Sequence, residues 1–476
     1  MKKIINKNKN LIFLILILVI ATFFRLYFNP MDIDDATIGY RVIENIASGK
    51  GFEYNSGEKV LSTSAPLHII IISFFTYLGM DVIFATNALS LISALITIIL
   101  VYFILKEINF ENAGLIAAFI LAISNDFVIY TMNGMETSFY TMLWMTSIYF
   151  FIKKKYSLTG LFLGLLVFTR VDGAMLAIAL GLLYIFNHKK IPWKMAIIAI
   201  LVFMPWIIFA TSYFGSPIPN TLKAKQLQAG SDSTFFIRIF AFLYDETFLL
   251  LIPFIIIGLI KIFNKKEIWP IYFGSLLYLI AYTAIQIHGY IWYYIPLIPI
   301  IVIFAAIGIT YVTKRIFSQK KIYSNLFLII FMISIVATSI LGMKHYKQKV
   351  DIKWESYKEI GLWFNQNTEP TDTIMFHDIG YVGYYSERYI WDYNLLIHKQ
   401  EKDVTTKLSY PEFMKKYNPN YVLHLKKNVV DTIENSAPDY VGYELFKTFT
   451  DDFSYQTDDL RYKLNFKNYY YIFKRK

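Results

Sequence analysis

Long apolar runs broken by short polar loops fill the first 341 residues. The runs 11–24, 89–105 and 295–309 each sit in a stretch with almost no charge. Such stretches match the roughly 20 helical residues needed to cross about 30 Å of hydrocarbon. The first is preceded by four lysines within residues 1–10 and by no small-x-small cleavage pattern, so it reads as a retained span. Further spans are predicted at about 82–104, 113–130, 137–152, 158–170, 173–187, 195–213, 246–262, 268–286, 291–312 and 323–341, about eleven in all.

Residues 66–80 decide the topology. They are apolar, but short for a span and opened by Pro66. If they stay on the outer surface, the basic clusters at 153–155, 189–194, 261–266 and 314–321 all fall in the cytoplasm. The loops 131–137 and 286–291, which carry no Lys or Arg, then fall outside, as the positive-inside rule requires. Residues 29–80 are therefore expected to form a long first outer loop with interfacial helices.

After residue 341 the pattern changes to alternating runs at 373–376, 389–393, 421–425 and 469–473, with helical periodicity at 351–367 and 411–417. This predicts a small α/β domain over 342–476, placed outside the membrane by the span count. The fold class is thus an α-helical polytopic membrane protein, residues 1–341, plus a C-terminal extracytoplasmic α/β domain. The location is the plasma membrane, multi-pass, with a cytoplasmic N-terminus.

Composition agrees. Hydrophobic residues make up 56% of the chain and charged residues 17%, against about 25% charged in soluble domains. The net charge of +11 lies in loop clusters and leaves no continuous basic face for nucleic acid. With no cysteine, disulfides and thiolate metal sites are excluded.

Ionisable groups at a membrane surface are costly and mark candidate chemistry. Asp32, Asp34 and Asp35 fall within four residues just after the first span. One could cap the helix that follows; a carboxylate held there could also deprotonate an acceptor hydroxyl. The same acids could hold Mg²⁺ or Mn²⁺ through oxygen ligands, although nothing in the sequence requires a cofactor. Glu136 opens a span and is either a capping acid or a substrate contact. Arg170 and Asp172 are a structural ion pair or part of an anion site. Asn220, Lys223 and Lys225 follow two prolines near the outer headgroups, and His288 and Tyr290 lie at the outer edge of a span. Arg170, Lys223, Lys225 and His288 are the candidates to hold a leaving phosphate. Glu136, Asp172, Asn220 and Tyr290 are the candidate substrate contacts. His377-Asp378 matches a short metal-phosphohydrolase signature, but the other tail histidines, His345, His398 and His424, lie at no ligand spacing.

Taken in order, the first span, DIDDATIGYRVIENIASGKGFEYNSGEKVLSTSAPLH, NGMETSFY, FTRVDGA, YFGSPIPNTLKAK and HDIGYVGYYSERYIWDYNLL resemble GT-C-fold membrane glycosyltransferases. The likeness is greatest to the group containing the mycobacterial terminal arabinofuranosyltransferases and runs from about residue 11 to 396. It implies a GT-C-like fold, with a catalytic aspartate at Asp34 or Asp35. It implies a polyprenyl-phosphate sugar donor and inverting transfer to a hydroxyl of a cell-envelope acceptor, whether glycan, lipid or protein. The family's Asp-Asp-Ala-Tyr reads Asp-Asp-Ala-Thr here, and its Arg-Pro-Glu-Gly reads Arg170-Val171-Asp172-Gly173. The alternative is a lipid or polysaccharide transporter without catalysis. Transporters place ionisable groups near the midplane and often carry inverted repeats; here the charges gather at one face and no repeat shows.

Overall fold

The structure is a computed structural model that describes residues 2–29, 31–222, 224, 239, 246–285, 289–316, 321–398, 408–429, 440–453 and 466–476. The helical part runs α1 (Lys2–Tyr27), α2 (Asp34–Ala47), α3 (Pro66–Tyr77), α4 (Val82–Glu107), α5 (Glu111–Ile123), α6 (Asn125–Tyr130) and α7 (Thr137–Ile152). It continues through α8 (Tyr156–Thr169), α9 (Ala174–His188), α10 (Trp193–Phe214), α11 (Glu246–Ile262), α12 (Trp269–Ile285), α13 (Ile298–Ile316) and α14 (Lys321–Asn367). Each predicted span has its helix. Among the described residues, seven segments are long and apolar enough to cross a membrane, while 111–123, 156–169 and 248–262 are shorter apolar helices.

The loop ends of the bundle sort into two faces. At one face Lys153 pairs with Glu107 at 3.0 Å, Lys106 with Glu111 at 2.7 Å, and Lys265 lies over the Phe110 ring. At the other face, the first loop meets the 133–136 turn, the 170–173 break and the ends of α10 and α12. The basic clusters at 153–155 and 261–266 therefore share one end, as the charge pattern predicts.

Helix α3 does not cross. It starts at Pro66, whose fixed φ suits a first helical position, and its 12 residues span only about 18 Å. Ile69 and Ile72 pack in the same cluster as Val82 and Ala85 at the start of α4. Asp81 then caps α4 by accepting the Phe84 N–H at 2.8 Å.

Two membrane helices touch backbone to backbone. A methyl group on Gly258 of α11 would overlap the Phe304 carbonyl, and one on Gly308 of α13 would overlap that of Phe254. Small residues at such crossings let helices associate where no hydrophobic drive exists.

Helix α14 has 47 residues, about 70 Å at 1.5 Å per residue. It runs unbroken through residue 341, so the compositional boundary falls inside one helix. Beyond it come β1 (Thr373–Phe376), α15 (Gly380–Ser386), β2 (Tyr389–Asp392), α16 (Tyr410–Tyr417), β3 (Tyr421–Val429), β4 (Tyr443–Phe453) and β5 (Phe466–Arg475). The sheet order is β2-β1-β3-β5-β4, with β1 parallel to β2 and β3 and the remaining pairs antiparallel. The strands predicted at 373–376, 389–393, 421–425 and 469–473 are all present; β4 and α15 were not expected.

Candidate active site between the first loop and the helix bundle

Helix α2 begins with Asp34 and Asp35, acids that suit the partial positive charge of a helix N-terminus. Successive residues on a helix point about 100° apart, so the two acids face different surroundings. The Asp34 carboxylate is buried and accepts the N–H groups of Tyr381 and Gly380, at 2.8 and 3.0 Å. A side chain at Gly380 would overlap the Asp34 carbonyl, so glycine is needed for that approach. Burial and the nearby Asp378 charge push the Asp34 carboxyl up to about 7, against the pull of the two N–H donors. Asp32 is buried too. Its carboxylate accepts the Tyr40 hydroxyl at 2.6 Å, its carbonyl accepts the Tyr381 hydroxyl at 2.7 Å, and burial raises its carboxyl to about 6.

Asp35, half-buried, lines a narrow cavity of about 60 Å³ with Ser62, Ser64, His68, Glu136 and Thr221. Gly134 closes one wall at φ +80°, where any side chain would strike Tyr40, Asp32 and Ala36. Burial pushes the His68 imidazole down to about 4, with the Glu136 charge opposing. The three acids that could have shared a Mg²⁺ or Mn²⁺ thus turn to three different surroundings. Among the described residues, no three His, Cys, Asp or Glu side chains gather to hold a metal.

Arg170 sits at the break between α8 and the short 171–173 turn, with extended backbone. Its guanidinium donates to Glu136 at 2.9 Å, to both Asp172 oxygens at 3.2 and 2.9 Å, and to the Tyr282 hydroxyl at 2.9 Å. Tyr282 in turn donates to Asp172. The rings of Tyr140 and Tyr293 lie 5.1 and 5.0 Å from the guanidinium carbon. Four of the five guanidinium N–H groups are therefore engaged, with two carboxylates balancing the charge. It borders a second cavity of about 110 Å³ together with Ser64, Asp172, Thr221 and Tyr282. Ser64 and Thr221 line both cavities, so the Asp35 cavity and the Arg170 cavity are neighbours.

A third cavity, about 680 Å³ and walled by Ile46, Phe52, Ile70, Phe74, Phe168 and Trp206, opens between α2, α3 and α10. Its lining is almost wholly apolar.

Of the candidates read from the sequence, Asp35, Glu136, Arg170 and Asp172 come together. Asn220 does not open to the cavity. Its amide donates to the carbonyls of Leu395, Leu396 and His398, at 2.9, 3.1 and 2.7 Å, tying the 215–222 segment to the C-terminal domain. Tyr290 stacks on Trp292 with centroids 4.4 Å apart. Lys223, Lys225 and His288 lie outside the described residues. Tyr282 and His68 are the additions. Tyr282 gave no signal in its apolar run; His68, a lone imidazole just inside the run opened by Pro66, did.

The bundle with its long first loop, the acid pair at that loop's start and the C-terminal cap define a polytopic membrane protein of GT-C architecture. Comparison with known proteins agrees on the fold: the chain has the GT-C fold of the solved structures it resembles. Residues 63–209 match the family model of dolichyl-phosphate-mannose-protein mannosyltransferase. Residues 344–472 match a domain of unknown function, DUF8728. The fold is similar to ArnT from Cupriavidus metallidurans in the apo state, with a TM-score of 0.61 at 12% identity over 86% of this chain and 92% of that one. It is also similar to the Archaeoglobus fulgidus oligosaccharyltransferase, with a TM-score of 0.60 at 12% identity over 87% of this chain and 69% of that one. ArnT has also been crystallised bound to undecaprenyl phosphate, and the archaeal enzyme in complex with Zn and sulfate. No curated protein matches the chain in sequence.

Proposed function

We propose that the chain transfers a sugar from a polyprenyl-phosphate donor to a hydroxyl of a cell-envelope acceptor, with inversion, and that Asp35 is the general base. The observation that carries this reading is the division of labour in the acid cluster. Of the three acids, Asp35 is the one that lines the cavity.

Inverting transfer needs a carboxylate within reach of the acceptor hydroxyl on one side of the sugar and positive charge for the leaving phosphate on the other. Asp35 supplies the first. Arg170 is already neutralised by Glu136 and Asp172, so in this reading it fixes those two acids as hydroxyl acceptors. The phosphate then falls chiefly to Lys223, Lys225 and His288. The 680 Å³ apolar cavity suits an isoprenoid chain, in keeping with the lipid bound by ArnT. The domain over 342–476, held to the first loop, would seat the acceptor, whether glycan, lipid or protein. The lysine-rich face is cytoplasmic and the site faces outward. Where Mg²⁺ or Mn²⁺ takes part, Asp35 is the acid of the triplet that faces the cavity to meet it.

The test is sugar transfer from a panel of radiolabelled polyprenyl-phosphate sugars by purified protein with membrane extract. Wild type transfers at least one. Asp35→Asn, folded, loses about 10²–10⁴-fold, the usual worth of a positioned base. Donor binding without transfer by wild type would contradict the reading and favour a transporter.

A further inference from the structure

Ser62 and His68 bracket the turn that starts α3, in the segment Ser62-Thr63-Ser64-Ala65-Pro66-Leu67-His68. Both are more than nine-tenths buried, at 3% and 4% exposure, and both line the cavity that Asp35 lines. Among the described residues, the Ser62 hydroxyl and the His68 Nε2 have no hydrogen-bond partner. Buried polar atoms are nearly always paired, and two orphans on the wall of one cavity point to a ligand that pairs them.

The lining says what kind of ligand. Asp35 and Glu136 stand in the same wall, so a phosphate would be repelled. A buried imidazole with no acid paired to it is held neutral, and so offers an acceptor or a single N–H. A serine hydroxyl both donates and accepts. A sugar hydroxyl, itself donor and acceptor, satisfies either atom without bringing charge into the pocket.

We propose that Ser62 and His68 form a sugar-hydroxyl subsite beside Asp35, holding the sugar ring by uncharged hydrogen bonds. The proposal rests on the glycosyltransferase reading and deepens it. The sugar comes from the donor or from the acceptor, and both sources share this chemistry.

The experiment measures binding to the full chain in nanodiscs. The probes are undecaprenyl phosphate, a panel of undecaprenyl-phosphate sugars, and a panel of methyl glycosides for the acceptor side. Wild type is compared with His68→Leu, His68→Gln and Ser62→Ala, each checked by thermal unfolding. The expected result is that His68→Leu weakens the best-bound sugar ligand about tenfold or more, the worth of one lost hydrogen bond of about 1.4 kcal/mol. Sugar-free undecaprenyl phosphate binds unchanged, and His68→Gln, which keeps an acceptor, recovers part of the loss. The arm that responds, lipid-linked sugar or methyl glycoside, identifies the source. Ser62→Ala shows the same selectivity and carries the test if His68→Leu does not fold. Equal sugar binding in wild type and the variants, as for a cavity that holds only water, overturns the subsite alone. So does an equal loss for the sugar-free lipid. Wild type that binds no sugar ligand at all overturns both the subsite and the glycosyltransferase reading.

Discussion

Asp34 and Asp35 are chain neighbours with different environments, and their titration should differ. With its folded pKa raised from an ordinary 3.8 to about 7, Asp34 binds more protons in the folded than in the unfolded state between those values. Stability from this group is therefore greatest near pH 4 and falls as pH rises to about 7. At about 1.4 kcal/mol per pKa unit, a rise from 3.8 to about 7 corresponds to roughly 4 kcal/mol at most. Asp34→Asn removes it, while forfeiting one of two backbone hydrogen bonds at a cost of about 1–3 kcal/mol. Thermal unfolding should show a larger penalty for Asp34→Asn at pH 5 than at pH 8; a penalty that grows with pH would contradict this. The acid cluster itself was legible in the sequence, because three carboxylates beside a span are too costly for idle placement. Which acid faces the cavity was not. That depends on the rotation of α2 against Gly380 and Tyr381, some 346 residues away in sequence.

At the scale of elements, the helices were legible because each hydrophobic run has its own length and flanks. Strand β4 was missed because Tyr443–Phe453 mixes exposed apolar residues with charges, so no clean alternation stands out. Helix α15 was missed because its seven residues, GYVGYYS, carry two glycines, which weaken helical propensity. What holds α15 is tertiary: Tyr54 donates to the Ile379 carbonyl at 2.6 Å, and Trp354 stacks on Tyr381. The α11–α13 contact makes a separate prediction. Gly308→Ala or Gly258→Ala forces a methyl group against a carbonyl and should destabilise by about 1–3 kcal/mol, as overpacking does. Gly181→Ala in α9, where the backbone is helical and no atom lies within 4 Å of an added Cβ, serves as the control. Thermal unfolding in detergent checks this; equal midpoints for Gly308→Ala and the control would show that the helices have room.

At the scale of the whole molecule, the first loop and the C-terminal domain are one assembly. The Arg41 guanidinium donates to the carbonyls of Tyr54, Gly383 and Arg388 at 3.0, 2.7 and 2.9 Å, and Asn55 exchanges two hydrogen bonds with Ile390. These bonds hold the site's roof in register with the bundle. They were invisible in the sequence, since they join polar residues with no local pattern. The orientation of the molecule is open to a simple check because the chain has no cysteine. A single cysteine at Ser56 should react with an impermeant maleimide in intact cells. One at Lys154 should react only after permeabilisation. Reaction of both from outside, or the reverse order, would overturn the outward-facing site.

The roles of the two acids can be separated most directly by measuring sugar transfer and thermal unfolding in parallel on Asp34→Asn and Asp35→Asn. The account predicts that Asp35→Asn unfolds like wild type and loses transfer about 10²–10⁴-fold. Asp34→Asn should unfold earlier and keep transfer at temperatures where it is folded. Full transfer by a folded Asp35→Asn, or its loss in a folded Asp34→Asn with Asp35 intact, would contradict the assignment of the base.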